Sequence, residues 1–388
     1  GRRSGVGRRG GSFGQGLRVH GWIVAALHFE PMSPTLLSLV FALALLLNLA
    51  VKLWLATRQM RHVARHRDLV PAPFAASVSI ESHRKAADYT LAKGRFGLLT
   101  TAFGAAVLLA WTLLGGLDAL NAVVRDAVQP RWGDMAYQLA LVAAFVLIGG
   151  LLELPFDLYG TFRIEQRFGF NRTTWRLFVA DLAKGVAIGA VIGLPLLALI
   201  LWIMRAAGPG WWWWAWCAWA GFNLLIMVIY PTVIAPMFNT FEPLSDPVLE
   251  SRVKALMQRC GFAAKGLFVM DGSRRSAHGN AYFTGLGAAK RVVFFDTLLA
   301  KLSPGEVEAV LAHELGHFRH RHVQQRIVVM FALSFLGLAL LGWLAGQSGF
   351  YRGLGVSPNL AASNDALALL LFLMVVPVFG FFISPLSA

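Results

Sequence analysis

The chain has 388 residues, of which 57% are hydrophobic and 14% are charged, and its mean hydropathy is +0.60. These values exclude an ordinary soluble domain and indicate an integral membrane protein. The net charge of +15 could suggest a nucleic-acid partner, but the basic residues concentrate in alternate connections between apolar segments, a pattern that reflects membrane topology instead. Two cysteines, Cys217 and Cys260, are too few for a disulfide framework.

The first segment of the chain does not fit the pattern of the rest. Residues 1–31 are basic and begin with glycine, and Met32 directly precedes the first apolar run. We interpret residues 1–31 as a disordered leader outside the native protein, with a basic targeting segment as the alternative. Seven runs of about 20 apolar residues, each able to span a bilayer, then follow. They lie near 34–57, 96–118, 136–159, 183–205, 211–236, 325–346 and 366–384, so that residues 32–236 hold five spans and 324–388 hold two.

The connections between these spans predict which side of the membrane each one faces. Lys and Arg are abundant in the first, third and fifth connections, which the positive-inside rule places in the cytoplasm. The sequence predicts a cytoplasmic helix over 79–95, an outer loop around Gln129-Pro130 and a polar inner loop from Tyr159 to Asn171. Prolines between Tyr230 and Pro236 predict that the inner end of the fifth span is broken or kinked.

The fifth connection, residues 237–323, is long enough for a small cytoplasmic α+β domain. Asp246-Pro247 begins an amphipathic helix. Three short strands are predicted at Gly266–Met270, Asn280–Thr284 and Arg291–Phe295, with Gly285-Leu286-Gly287 as a hairpin turn. An exposed strand at the edge of such a sheet can pair with an extended peptide.

A helix that begins at Ser303 carries the string His313-Glu314-Leu315-Gly316-His317, an H-E-x-x-H motif. Side chains four residues apart share one helix face, so His313 and His317 can bind one metal ion. Glu314 can take the proton of a metal-activated water, which is the zinc-hydrolase arrangement. We expect the helix to continue through His320 and His322 into the sixth span, where neither can complete the metal site. Two alternatives stay open: a seven-span transport or receptor protein with an incidental motif, and a metal-free relative that acts as a binding chamber.

Motifs spread over most of the chain resemble those of the zinc-dependent CAAX prenyl endopeptidases, in a bacterial member. They are Leu154-Pro155-Phe156, Ile164-Glu165-Gln166, Gly169-Phe170-Asn171, Tyr230-Pro231, Ile234 to Asn239, Met270 to Ser273, His278, Asn280 to Gly285, Phe295-Asp296-Thr297 and Ala309 to His317.

The resemblance implies a mainly α-helical membrane protein, with seven transmembrane helices forming a barrel and a gluzincin-like peptidase domain on its cytoplasmic side. It implies one zinc ion per chain and cleavage near the C-terminus of membrane-associated proteins of the CAAX type, or of misfolded membrane proteins. The implied location is the bacterial inner membrane, with peptide and lipid as partners and no nucleic acid. Substrate is expected to contact His278 and to pair with Asn280, Ala281, Tyr282 and Phe283, so a proline at Tyr282 is expected to remove a donor to the substrate.

The family pattern also includes a third zinc ligand, a Glu in an E-x-x-x-D stretch shortly after the seventh span. No such stretch follows that span before Ala388. We therefore expect the third ligand beyond Ala388 and predict that the chain is a C-terminally truncated fragment with weak zinc binding.

Overall fold

The computed structural model describes residues 33–262, 266–284 and 291–382, so the predicted leader and the predicted turn at Gly285-Leu286-Gly287 lie outside the described residues. The helices are α1 (Pro34–Arg65), α2 (Ile80–Trp111), α3 (Gly116–Tyr159), α4 (Gln166–Phe168), α5 (Trp175–Ala206), α6 (Trp211–Ile229), α7 (Ala235–Phe238), α8 (Pro247–Arg259), α9 (Asp296–Leu299), α10 (Pro304–Arg319), α11 (His322–Leu344), α12 (Ser348–Gly353) and α13 (Asp365–Gly380). Two π-helical turns, Gly160–Glu165 and Tyr230–Ile234, continue α3 and α6. The strands are β1 (Phe241–Pro243), β2 (Gly266–Met270), β3 (Ala281–Thr284) and β4 (Arg291–Phe295).

Long apolar helices dominate the described part of the chain and confirm a mainly helical membrane protein. Apolar side chains such as Leu43 and Val191 are 68% and 74% exposed, which a lipid environment accommodates and water does not. Six helical stretches among these residues are long and apolar enough to cross a membrane: Pro34–Arg65, Ile80–Trp111, Gly116–Phe168, Trp175–Ala206, Gly208–Phe238 and His322–Leu344.

The predicted seventh span corresponds to α13, whose last predicted residues lie outside the described part of the chain. Helix α13 has 16 residues. At 1.5 Å per residue it is about 24 Å long, shorter than the hydrocarbon core of about 30 Å. Its apolar side chains pack against α1, α3, α5 and α11 in the largest buried cluster of the membrane part.

Two connections predicted as loops are helical instead, and the helix predicted over 79–95 is confirmed. Helix α2 continues the predicted cytoplasmic helix into the second span without a break. The predicted outer loop at Gln129-Pro130 is helical, and the chain departs from helical geometry at Gly133, whose φ of 80° suits glycine. The predicted inner loop is largely the π-helical turn Gly160–Glu165. Polar composition marks where a helix leaves the bilayer, and it does not by itself end the helix.

A buried polar network joins α3 to the segment between α12 and α13. Asn121 Nδ2 donates to Asn359 Oδ1 at 2.9 Å, Asn359 Nδ2 donates to the Tyr137 hydroxyl at 2.8 Å, and that hydroxyl donates to Asn121. All three side chains are at most 8% exposed. Because each member is paired, the network holds this connection in one conformation.

A four-stranded sheet in the order β1-β2-β4-β3 follows the membrane helices. Strands β1 and β3 are antiparallel to their neighbours, whereas β2 and β4 are parallel. The three predicted strands are confirmed. Strand β1 was not predicted, because its three residues end in Pro243 and show no alternation of polar and apolar side chains.

The two faces of the sheet pack against different parts of the protein. One face joins α8 and α10 in a core that includes Val292, Phe294 and Leu311, each fully buried. The other face lies against the π-helical turn Tyr230–Ile234, which continues the fifth span with a changed helical geometry where the prolines predicted a break or a kink. There Arg291 Nη1 donates to the Pro231 carbonyl at 3.5 Å. The sheet therefore packs on one face against the helices of segment 237–323 and on the other against the membrane helices.

The predicted continuous helix from the H-E-x-x-H motif into the sixth span is wrong. Helix α10 ends at Arg319 and α11 begins at His322, with Arg321 between them in the left-handed conformation at φ 56°. A left-handed residue cannot continue a right-handed helix, so the chain changes direction here. The break separates the helix that carries the H-E-x-x-H motif from the apolar helix α11 that follows it.

Candidate active site

The start of α10 is fixed by its own side chains. Glu306 Oε2 accepts hydrogen bonds from the Ser303 backbone N–H and from its hydroxyl, both at 2.8 Å. The bond from the backbone N–H lowers the pKa of the Glu306 carboxyl. Val307, Leu311 and Leu315 are at most 1% exposed against the sheet. Together the cap and this apolar stripe set both the position and the rotation of the helix.

This rotation turns the predicted metal ligands away from the sheet. His313 and His317 are exposed, and Glu314 is half-buried beside them. The two imidazole centroids are 5.0 Å apart with their planes at 89°, so the two rings lie close enough to share one metal ion. His317 Nδ1 lies 2.9 Å from Nδ1 of His322, which leaves Nε2 of His317 for a metal.

The donor set fits zinc in kind, since zinc favours imidazole nitrogens. Nevertheless, within residues 33–262, 266–284 and 291–382 no group of three or more His, Cys, Asp or Glu side chains could hold a metal ion. Asp296, an acid of the adjacent sheet, is already engaged, because it accepts from the N–H groups of Ser273 at 2.8 Å and Thr297 at 2.7 Å. The described residues thus offer two candidate ligands, the predicted His313 and His317.

The predicted substrate strand β3 lies at the edge of the sheet. The Phe295 N–H donates to the Asn280 carbonyl at 2.9 Å, and antiparallel ladders alternate between bonded and non-bonded pairs. Tyr282 lies two positions after Asn280 and is paired with Val293 of β4. Its N–H and carbonyl therefore also point toward β4. The backbone groups that face the open edge belong to Ala281 and Phe283. The expectation that a proline at Tyr282 removes a donor to the substrate is therefore wrong.

His278 lies three residues before β3, which begins at Ala281. Its ring stacks on Phe170 with centroids 4.2 Å apart, and its Nε2 is 3.4 Å from Glu165 Oε2. The Tyr89 hydroxyl donates to the other carboxylate oxygen at 2.6 Å. Glu165 and Tyr89 had no predicted role, although Glu165 lies in the motif Ile164-Glu165-Gln166.

An ion pair fastens the same loop to the membrane part of the chain. Arg275 Nε and Nη2 donate to the two carboxylate oxygens of Asp181 at 2.7 and 2.9 Å, and Arg275 Nη1 donates to Asn239 Oδ1 at 2.9 Å. Both charged side chains are about a quarter exposed. Arg275 pairs with both oxygens of Asp181, and the pair is partly shielded from solvent. It therefore holds the loop before the predicted substrate strand against helix α5.

Two family models together match most of the chain. Residues 59–240 match the model for the CAAX prenyl protease N-terminal region with five membrane helices, and residues 243–385 match the model for peptidase family M48. A CAAX prenyl protease 1 homolog of Oryza sativa subsp. japonica is 34% identical over 291 residues, covering 71% of this chain and 67% of the relative. The chain belongs to the CAAX prenyl protease family of M48 peptidases.

Further members of the CAAX prenyl protease family support the same assignment. CAAX prenyl protease 1 of Saccharomyces cerevisiae is 31% identical over 310 residues, covering 78% of this chain and 68% of the relative. The crystal structure of S. mikatae Ste24p matches with a TM-score of 0.79 and 28% identity, covering 90% of this chain and 83% of that one. The family is zinc-dependent, so this chain is a membrane metallopeptidase, and the interpretation of the H-E-x-x-H motif as incidental finds no support.

Proposed function

We propose that this protein is an integral-membrane zinc endopeptidase that cleaves near the C-terminus of membrane-associated proteins of the CAAX type. One observation carries the proposal: the two histidines and Glu314 face outward on a helix that packs beside the open edge strand β3. An extended peptide paired with that edge would lie next to the metal-binding helix. The names of the relatives supply the substrate class.

Each residue of the site has a defined role in this proposal. His313 and His317 would hold one zinc ion, which when bound acidifies water and polarises a peptide carbonyl. Glu314 would accept the proton of that water and later donate it to the leaving amine. The outward-facing backbone groups of Ala281 and Phe283 would hold the substrate extended, with the substrate replacing Asn280 Oδ1, which accepts from the Ala281 N–H at 2.9 Å. His278 and Asn280 would contact the substrate at the start of β3. The side chain of Tyr282 faces the membrane helices, so the contribution of this residue is to the sheet.

The test of this function is a cleavage assay with a farnesylated peptide that ends in a CAAX sequence. The purified protein in lipid vesicles is expected to release the last three residues, as measured by mass spectrometry, and a zinc chelator is expected to stop the release. The matched control is the same peptide without the farnesyl group. Equal cleavage of both peptides would favour misfolded membrane proteins as the substrate class, and cleavage of neither would contradict the proposal.

We further propose seven spans, with α13 as the seventh, and a peptidase domain on the cytoplasmic side of a bacterial inner membrane. The support comes from Glu165, which contacts both Tyr89 near the start of α2 and His278 of the peptidase segment. The basic connection after α1 leads into this start of α2, so it lies at the same end of the helices as the peptidase segment. Cysteines introduced at Ser245 and Ser357, in a chain that lacks Cys217 and Cys260, are expected to label from opposite sides of the membrane. Labelling of both from one side would contradict the arrangement.

A further inference from the structure

A polar cluster at the membrane end of the peptidase segment links His278 to three residues that have no role in the site as described so far. It joins Tyr89 and Lys93 of helix α2, Glu165 of the π-helical turn after α3, and His278 of the loop before β3. Glu165 Oε1 accepts from the Tyr89 hydroxyl at 2.6 Å and from Lys93 Nζ at 3.3 Å, and Glu165 Oε2 lies 3.4 Å from His278 Nε2. Three segments far apart in the sequence therefore meet at one carboxylate.

The two oxygens of Glu165 serve different parts of the protein. Helix α2 engages one oxygen through Tyr89 and Lys93, which fixes the carboxylate, and the other oxygen is left for the imidazole of His278. A carboxylate bound to one ring nitrogen sets the orientation and the tautomer of a histidine, as it does for metal-binding and catalytic histidines. The stack on Phe170, with ring planes 16° apart, limits the remaining rotation of the ring.

The backbone around His278 is held independently of this ring. The Ala277 N–H donates to the Phe170 carbonyl at 2.9 Å, and the Thr297 hydroxyl donates to the His278 carbonyl at 2.8 Å. The loop thus has main-chain anchors on both sides of His278, and the contact with Glu165 orients the side chain. That side chain is 49% exposed, and within the described residues its Nδ1 makes no hydrogen bond.

We propose that Glu165 is a positioning residue, which orients His278 so that its second ring nitrogen binds a polar backbone group of the peptide substrate at the start of β3. The inference rests on the proposed function, because it assumes that the substrate pairs with the edge of β3. Helix α2 takes part through Tyr89 and Lys93, so a membrane helix sets the geometry of a substrate contact.

The test measures peptide binding in the Glu314→Gln protein, where hydrolysis does not interfere. His278→Ala and Glu165→Gln are each expected to weaken the binding of a fluorescent CAAX peptide by about tenfold. This factor corresponds to the loss of about one well-oriented hydrogen bond. The double variant is expected to bind no more weakly than His278→Ala alone, because the two residues act as a unit. In the protein that retains Glu314, Glu165→Gln is expected to raise KM and to leave kcat within about twofold.

The matched control is Asp88→Asn. Asp88 neighbours Tyr89 on α2, but its carboxylate pairs with Arg67 at 2.7 Å, away from Glu165. This variant is expected to bind peptide as the unchanged protein does. Zinc content and thermal unfolding are measured for every variant. If Glu165→Gln does not fold, Tyr89→Phe replaces it, since this change removes only the hydroxyl that holds Glu165, and about threefold weaker binding is expected.

The outcomes separate the inference from the proposed function. Unchanged binding by His278→Ala would show that this histidine does not contact the substrate, and both the inference and this part of the site would fail. Weaker binding by His278→Ala with normal binding by Glu165→Gln, or by Tyr89→Phe where it is the replacement, would overturn the inference alone. Additive losses in the double variant would also overturn it, because Glu165 would then act apart from His278.

Discussion

Replacing Glu314 by glutamine is expected to lower kcat by about 10²- to 10⁴-fold, the usual contribution of a general acid–base residue. Glutamine has the shape of glutamate but cannot accept the proton of a water at the metal. Glu314 is beside the two histidines and is not one of the proposed ligands, so the variant is expected to keep the zinc content of the unchanged protein. The measurements are cleavage of the farnesylated peptide and metal content per chain.

Glu308→Gln is the matched control for this variant. Glu308 lies on the same helix but pairs with Arg259 at 3.1 Å and with Arg252 at 3.8 Å, on the side of α8. Both partners are at least half exposed, and such pairs contribute at most about 1 kcal/mol to stability. Full activity is therefore expected. Cleavage by the Glu314→Gln protein at the normal rate would show that another group acts as the base.

Proline is expected to have opposite effects at neighbouring positions of β3. At Ala281 the N–H faces away from β4 and donates to the Asn280 side chain at 2.9 Å, and proline is tolerated at such an edge position of a sheet. Ala281→Pro removes a donor to the substrate and places its ring in the path of the paired peptide, so kcat/KM is expected to fall at least about tenfold. Thermal unfolding and zinc content are expected to change little, because the bonds between β3 and β4 remain.

Tyr282→Pro is the companion variant. Its N–H points toward β4, so proline removes a ladder hydrogen bond and leaves its acceptor unpaired, which is expected to destabilise the sheet by about 1–3 kcal/mol. Loss of turnover is then accompanied by loss of folding, which distinguishes the two variants. Normal turnover by Ala281→Pro would show that the substrate binds away from the edge of β3.

Local patterns in the sequence predicted the metal-binding helix and most of the sheet. One helix carries all of the features on which the prediction depends: the cap at Ser303, the apolar stripe of Leu311 and Leu315, and the spacing of the two histidines. The structure adds only the elements against which this helix packs. The strands of the sheet core were predicted for the same reason. Strand β1 was missed because its pairing with β2 depends on a partner 25 or more residues away, and three residues carry no periodicity of their own.

Features that depend on distant contacts could not be predicted in the same way. The break at Arg321 has no glycine or proline to mark it, since an arginine adopts the left-handed conformation there. The cluster around Glu165 joins residues 76 and 113 positions apart, and neither distance leaves a periodic signal. The direction of each backbone group of β3 depends on its register with β4, which alternation of side chains alone does not determine.

The shared sheet has a consequence for how this protein can be divided. The two family models meet between residues 240 and 243, in the connection between α7 and β1, so sequence comparison divides the chain there. The fold is not divided at this point, because the end of the fifth span covers one face of the sheet. An excised peptidase module would present Phe268, Tyr282 and Val293 to water. The segment that the peptidase family model matches is therefore not a unit that can be expected to fold alone.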